Sequence, residues 1–320
     1  MEELILHSYL KVFSLFIIIL LLIFSLYFIH IINKKYQLQT DIVNISKSEK
    51  IDFVIEKNFV DTQSFNKLFF KLLYKFNVIF LNKYMHYGEF LLNKKISFYN
   101  FINIVSKPSN ILNKITIVEG WSVDDLNNEL IKHFNNFDII PYDDILADTY
   151  FFDNNNNFDQ FKTKLKKIKK IYFTNNKKNI IFDNYSPHDL LVIGSLIEKE
   201  GLDYYDKRNI SSVIFNRLEI DMKLQIDATV IYAITNGKFN LDRKLILKDL
   251  KFDHPYNTYK YKGLPPKPIS YVATKTLDII LENYETDFLF YFYNNSLNKH
   301  IFSKNFKEHR KKLNEYRKNK

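Results

Sequence analysis

Leu190-Leu-Val-Ile-Gly-Ser-Leu-Ile-Glu-Lys-Glu-Gly201 is the stretch on which the reading of this chain turns. Ser186-Pro187 precedes it, a hydroxyl cap followed by the residue type suited to a first helical position. Gly201 can stop the helix by taking up a left-handed conformation. At roughly 100° per residue the apolar side chains cover most of the circumference, and only Ser195 and Lys199 form a polar edge. Such a helix is largely buried, so Glu198 and Glu200 both lie beside apolar neighbours. Burial and the negative end of the helix dipole make a carboxylate there harder to ionise, as a general acid near neutral pH requires. Structural ion pairs perturb carboxylates as well, and either glutamate could instead reach past the helix end into water. The helix alone does not choose between the two.

Downstream, Arg208 to Leu218 carries Ile210, Val213, Ile214 and Leu218 on one helical face. Met222 to Gln225 reads as extended, and Asp227 as the cap of a helix from Ala228 to Ile234 that ends before Gly237. Asp253 to Ser270 (DHPYNTYKYKGLPPKPIS) is a long loop stiffened by Pro265, Pro266 and Pro268. A helix starting at Ser270, a hairpin from Phe288 to Tyr293 and His300 to Ser303, and a basic helix complete this half. Upstream, Asn135 to Asn184 is polar and includes the low-complexity run Asp153-Asn-Asn-Asn-Asn-Phe158 and a lysine-rich amphipathic helix from Phe161 to Ile171. Tyr36 to Ile131 mixes elements. Ile51 to Ile55 alternates like a strand, Ser64 to Phe76 has helical spacing, and Tyr87 to Leu92 reads as a strand. Ser97 caps a helix through Val105, Ile115 to Val118 is a strand, and Ser122 opens a helix with acids in its first turn.

Val12 to Ile32 (VFSLFIIILLLIFSLYFIHII) is an unbroken apolar run of about 30 Å at the helical rise, the thickness of a bilayer core. It is too long for a signal-peptide core and lacks a small-residue cleavage site, so it reads as a membrane anchor. Lys34 and Lys35 at its C-terminal end, against Lys11 on the other side, weakly favour a cytoplasmic C-terminal bulk.

The chain has 320 residues, 46% hydrophobic and 17% aromatic, ample for packed cores and against wholesale disorder. The formal charge of +10 is spread among interleaved acids with no nucleic-acid motif, so nucleic acid is not expected as a partner. The absence of cysteine excludes disulfides and thiolate metal sites. There is no HExxH, no metal-ligand spacing among the eight histidines, no GxSxG elbow and no glycine-rich phosphate loop, so neither metal nor cofactor is expected. What remains is a carboxylate helix followed by a loop of Tyr, Asn and Thr, a surface suited to sugars. Glycoside chemistry ordinarily sets two carboxylates across the scissile bond, and the available partners are Glu200 and Asp227. Glu198 and Glu200 point about 160° apart on a helix and cannot flank one bond, while Asp227 is equally a helix cap.

Ile197-Glu-Lys-Glu200, Val213-Ile-Phe-Asn-Arg-Leu218, Leu224-Gln-Ile-Asp-Ala-Thr-Val-Ile-Tyr232, Tyr256-Asn-Thr-Tyr259 and Gly263-Leu-Pro-Pro266 with Pro268, in this order and spacing, resemble the endolytic murein transglycosylase (YceG-like) family. The resemblance covers Ser186 to His309 well. It extends weakly to Tyr87-Gly-Glu-Phe90 and Ile117-Val-Glu-Gly-Trp121, which are similar to the family's LysM-like region. It implies cleavage of nascent peptidoglycan strands without water, the muramyl C6 hydroxyl attacking the anomeric carbon and leaving a 1,6-anhydro end. The nucleophile then belongs to the substrate, which accounts for the missing second carboxylate.

By this resemblance Glu198 is the expected catalytic acid and base. Asn216, Gln225, Asp227, Thr229, Tyr232, Asn257, Thr258 and Tyr259 are the expected substrate-binding positions, each with a plain alternative as a loop-fixing hydrogen bond. Gly194, one turn before Glu198, leaves room above its carboxylate, whereas Glu200 follows Leu196 and suits packing or an ion pair. Arg217 reads as an ion-pair partner. Ile226, Ala228, Lys267 and Gly201 depart from the usual Thr, Pro, Gly, and Thr or Ala.

The expected architecture is α+β: an N-terminal arm (1–11), a transmembrane helix (12–32), a LysM-like α+β module (33–131), a connecting region (132–185) and a mixed α+β catalytic domain (186–320). The resemblance also implies a single-pass protein of the bacterial inner membrane with its N-terminus inside and its catalytic domain in the periplasm, against the lysine count. Implied partners are glycan strands and peptidoglycan synthases (penicillin-binding proteins). The competing reading is a catalytically silent peptidoglycan-binding scaffold of the wall-synthesis machinery.

Overall fold

The structure, a computed structural model, describes residues 2–60, 64–153, 157–239 and 241–319. Part of the run Asp153 to Phe158 lies outside the described residues. The chain forms two compact units, residues 1–113 with 151–156 and residues 114–150 with 157–320. The helix opened by Ser122 therefore belongs to the second unit rather than to the expected 33–131 module.

The first unit opens with α1 (Glu2–Asn33), whose stretch Tyr9–Asn33 is long and apolar enough to cross a membrane. It continues through β1 (Lys35–Gln37), β2 (Ile42–Ile45), α2 (Ile51–Asn58), α3 (Ser64–Leu81), β3 (Gly88–Leu91), β4 (Lys95–Ser97) and α4 (Phe98–Val105). Two antiparallel ribbons result, β1 with β4 (Tyr36 opposite Ile96) and β2 with β3 (Val43 opposite Phe90). Phe98 stacks between Tyr36 and Phe70, both rings at 4.1 Å, and Val43, Ile55, Phe90 and Phe101 close the core around it. Ile51 to Ile55 is helical, not a strand. Over five residues the alternation of this segment is ambiguous, and burial of the adjacent Val54 and Ile55 with Asn58 follows helical spacing.

The second unit contains Lys114 to Thr116 of β5 (Asn113–Thr116), then α5 (Val123–Leu130) and the start of β6 (Thr149–Phe152). There follow α6 (Phe158–Asn176), α7 (Pro187–Glu200), α8 (Tyr204–Glu219), α9 (Asp227–Thr235), α10 (Thr274–Leu281), β7 (Phe290–Asn294), β8 (Lys299–Ser303) and α11 (Phe306–Lys318). The quoted stretch is the central helix α7, packed against α8, α9 and α10. Ser186 and Asp189 form a reciprocal capping box at its start, with Pro187 at the first position. Every residue from Leu190 to Ile197 is buried, in a core shared with Ile210, Ile214, Leu224, Val272 and Ile280. Ser195 belongs to that core rather than to a polar edge. It is wholly buried, donates to the Val192 carbonyl at 2.7 Å and accepts from the Ile269 N–H at 3.0 Å.

Two local expectations change. Gly201 stops α7 in an extended conformation (φ −80°, ψ 141°), and its missing Cβ matters because Lys207 Cγ passes 2.4 Å from where it would stand. Gly194 leaves no open room above Glu198, since Val272 packs into the gap at 2.6 Å from the missing Cβ. The last helix before the hairpin begins at Thr274, not Ser270. Ile269 to Ala273 is a buried extended strap, joined to α7 through Ser195 and to Trp121 through the Tyr271 N–H at 3.1 Å.

Candidate active site

Glu198 and Glu200 leave the last turn of α7 in opposite directions, and their surroundings separate their roles. The Glu198 side chain is completely buried. Its carboxylate accepts the Lys207 ammonium on one oxygen and the Ala273 N–H at 3.1 Å on the other. Lys207 also donates to Thr276 at 3.2 Å, so the pair ties α7 to α8 and α10. The Glu198 carboxyl, the expected acid and base, is thus engaged by an ammonium and turned toward α8 and the strap.

Glu200, the final residue of α7, has its carboxyl largely buried where it meets α9 and the hairpin. Burial raises its pKa from the ordinary carboxylate value to about 7, and the Asp227 charge adds to this. His300, the Tyr291 hydroxyl at 3.4 Å and the Ala228 N–H oppose the rise. The Ala228 group lies in the first turn of α9, where free backbone donors and the helix dipole favour an anion. Glu200 is thus a carboxyl that holds its proton near neutrality and has donors ready for its anion.

Asp227 does not cap α9. Ile226 occupies the cap position with no side-chain bond, and the Asp227 carboxylate instead accepts the Tyr259 hydroxyl at 2.5 Å. Burial and the neighbouring Asp227 push the Tyr259 hydroxyl well above the ordinary tyrosine value, so it remains a donor. Burial followed by the Glu200 charge does the same for Tyr291. Behind Tyr291, at 5.3 Å and edge-on, stands His300, whose Nδ1 meets Asp206 at 2.8 Å.

Two hollows open near these groups. One, of about 420 Å³, is lined by Asp124, Asp125, Lys199, Ala228, Tyr232 and Ile269. The other, open and of about 690 Å³, is lined by Asp227, Tyr259 and the segment Leu245–Leu250. Asp227 and Ala228 are consecutive, so each hollow has an edge at the start of α9, whose Ala228 N–H the Glu200 carboxyl accepts.

The expected substrate-binding positions divide into two groups. Asp227 and Tyr259 edge the open hollow, and Tyr232 lines the other with its ring 4.7 Å from Tyr256. Gln225 is exposed, in a left-handed backbone conformation (φ 50°), and its side-chain amide makes no hydrogen bond among the described residues. The rest are spent on structure. Asn216 donates to the Thr286 and Phe288 carbonyls at 2.7 and 2.9 Å, fastening α8 to the hairpin. Asn257, wholly buried, donates to the Phe252 carbonyl at 2.8 Å and accepts from the Tyr259 N–H at 2.9 Å. Thr258 and Thr229 are buried against each other at 2.8 Å, and Thr258 accepts the Ile226 N–H at 3.0 Å. Asn257, Thr258 and Thr229 shape the loop that presents Tyr259. Arg217 pairs with no carboxylate among the described residues. It donates to the Leu289, Lys223 and Leu224 carbonyls at 2.6, 3.2 and 2.6 Å, beneath the Phe290 ring.

Tyr291, His300 and Lys199 were not among the expected site residues. The hairpin signal was present in the sequence, but nothing local ties its tyrosine to a helix end some ninety positions earlier.

The sequence model of the YceG-like family matches residues 43–315. The chain is 41% identical to the endolytic murein transglycosylase of Bacillus subtilis over 145 residues, 45% of this chain and 38% of that protein. It is 31% identical to the endolytic murein transglycosylase of Streptococcus pneumoniae over 136 residues, 42% of this chain and 24% of that protein. The matched regions therefore span well under half the length of these curated relatives. In fold it is similar to the crystal structure of a YceG-like protein of Listeria monocytogenes, with a TM-score of 0.54 at 23% identity, covering 84% of this chain and 98% of that one. With a family match over residues 43–315, well over half of the chain, the chain belongs to the YceG-like family.

Proposed function

We propose that the chain is a membrane-anchored lytic transglycosylase that cuts peptidoglycan strands internally, with Glu200 as its single general acid and base. The observation that carries this is Glu200 itself: a largely buried carboxyl raised to about 7, beside the start of α9, where Asp227 and Ala228 each edge a hollow, with Tyr291 and Ala228 donors around it. Protonated Glu200 gives its proton to the glycosidic oxygen as the bond to the anomeric carbon breaks. The Ala228 N–H and the Tyr291 hydroxyl then stabilise the new carboxylate. Asp227, held by Tyr259, offers negative charge to the oxocarbenium-like centre. The muramyl C6 hydroxyl of the same sugar attacks that centre and returns a proton to Glu200, leaving a 1,6-anhydro end and regenerating the acid. Burial keeps the acid protonated before the step, and the donors keep the anion available after it. Glu198 holds the helices together rather than touching substrate.

The names of the curated relatives support the reaction class, and the apolar helix α1 supports a single-pass anchor. In this reading the C-terminal bulk faces the periplasm, where the substrate is. The first unit acts as a LysM-like glycan-binding module, and the enzyme meets strands as peptidoglycan synthases make them, ending their elongation. Digestion of purified peptidoglycan by the full chain in oxygen-18 water tests the reaction. Unlabelled anhydro-muropeptide ends are expected, and labelled reducing ends would mean hydrolysis instead.

A further inference from the structure

Helix α3 presents an apolar stripe to the outside of the first unit. Leu68, Leu72, Phe76, Ile79 and Phe80 are all exposed, Ile79 at 71% and Phe80 at 70%. At 100° per residue they fall within about 120° of one another. One edge of the stripe is lined by lysines: Lys75, then Lys71 paired with Asp52 at 2.6 Å and Lys67 paired with Glu56 at 3.2 Å. The other edge runs into the contact between α3 and α1, where Phe69 meets the rings of Phe24, Tyr27 and Phe28 at 5.6, 5.8 and 5.5 Å.

The depth of that contact identifies what covers the stripe. Tyr9–Asn33 has 25 residues and spans about 37 Å, against a hydrocarbon core of about 30 Å. Phe24 lies nine residues before Asn33, about 13 Å back along the axis. Even if the whole excess of about 7 Å stood at the C-terminal end, Phe24 would remain about 6 Å inside the hydrocarbon. Phe69, in ring contact with Phe24, Tyr27 and Phe28, then lies between the hydrocarbon edge and that depth, and the exposed stripe starts beside it at Leu68. A solvated helix would leave five large apolar side chains in water beside a bilayer that can take them up. Lysines along one edge and aromatic or aliphatic groups across the stripe make the pattern of a helix lying in the membrane interface.

We infer that α3 is an interfacial membrane helix, seated in the leaflet beside the anchor with Leu68, Leu72, Phe76, Ile79 and Phe80 against lipid acyl chains. The inference rests on the reading of α1 as a membrane span. It gives the first unit a second attachment, which fixes the height and tilt of that unit instead of leaving it tethered by one helix.

The chain has no cysteine, so single-cysteine probes are clean. Phe76→Cys and Ile79→Cys place an environment-sensitive fluorophore on exposed positions, outside the core, and Leu21→Cys places one within α1. Full-length protein is inserted into phosphatidylethanolamine–phosphatidylglycerol vesicles carrying doxyl-labelled acyl chains. Quenching at positions 76 and 79 should reach at least about half of that at position 21. Quenching at position 21 alone would overturn the interfacial helix and leave the anchor standing. Absence of quenching at position 21 would overturn the anchor and the inference with it. Energy transfer between differently labelled copies at position 79, without lipid quenching, would assign the stripe to a second copy and overturn the inference.

Discussion

Lys207 ends on the carboxylate of Glu198, while the Glu200 carboxyl two residues on faces Ala228 and Tyr291. The two acidic residues of one short motif thus divide: one holds the fold, and the other is the proposed acid. Removing one partner of a buried pair leaves the other charge uncompensated, so Glu198→Gln should cost about 3 kcal/mol of stability. Combined with Lys207→Met the loss should be smaller than for Glu198→Gln alone. A double-mutant cycle by denaturant unfolding checks this, and additive losses would contradict it.

Gly194 is where Val272 enters the side of α7. Gly194→Ala puts a methyl 2.6 Å from Val272 Cγ1 and should destabilise by about 1–3 kcal/mol through overpacking, despite alanine's better helix propensity. Val272→Ala in the same chain should recover part of that loss. A Gly194→Ala protein as stable as wild type would show that the helix shifts freely against the strap, which the packing does not allow.

Asp227 raises the Glu200 pKa, second only to burial. Asp227→Asn removes that charge while keeping the shape, so the fall in activity on the alkaline side should begin at lower pH by about half a unit to one unit. The pH profile of muropeptide release measures it. An unmoved alkaline limb would mean that the two carboxyl groups do not sense each other.

Glu200 also has a stability signature. Its pKa is about 7 in the folded chain against an ordinary 4.5, so the folded state binds more protons between these values. The stabilisation is complete below about pH 4.5 and is lost as pH rises through about 7, a change of roughly 3 kcal/mol. Glu200→Gln lacks this dependence. Its stability relative to wild type should therefore improve between pH 5 and pH 8 by about that amount, read from unfolding curves in matched buffers. A constant difference would place Glu200 in water.

How far the sequence could be read follows the range of each signal. Ser186, Pro187 and Asp189 announce the start of α7 within four residues, and its apolar run announces burial. Ser97 and Ser122 mark α4 and α5 in the same way. These are local signals, and the structure agrees with them. The choice between Glu198 and Glu200 was not local. It depends on Lys207 from α8 and Ala273 from the strap on one side, and on Ala228, Asp227 and Tyr291 on the other. Gly194 was legible as a place without a side chain, but not as a place that Val272 fills. Asp227 had the position of a helix cap, yet its carboxylate is turned to Tyr259, 32 residues away. Among the polar residues of the family motifs, Asn216, Asn257, Thr258 and Thr229 are spent on internal hydrogen bonds, a use that the motifs alone do not reveal.

The central claim is that Glu200, and not Glu198, carries the proton. The most direct measurement is release of anhydro-muropeptides from purified peptidoglycan by Glu200→Gln and Glu198→Gln, each normalised to its folded fraction. Glu200→Gln should lose about 100-fold or more, as expected for a lost general acid, while the folded fraction of Glu198→Gln keeps activity within a few-fold of wild type. Full activity in folded Glu200→Gln, with none in folded Glu198→Gln, would contradict the account.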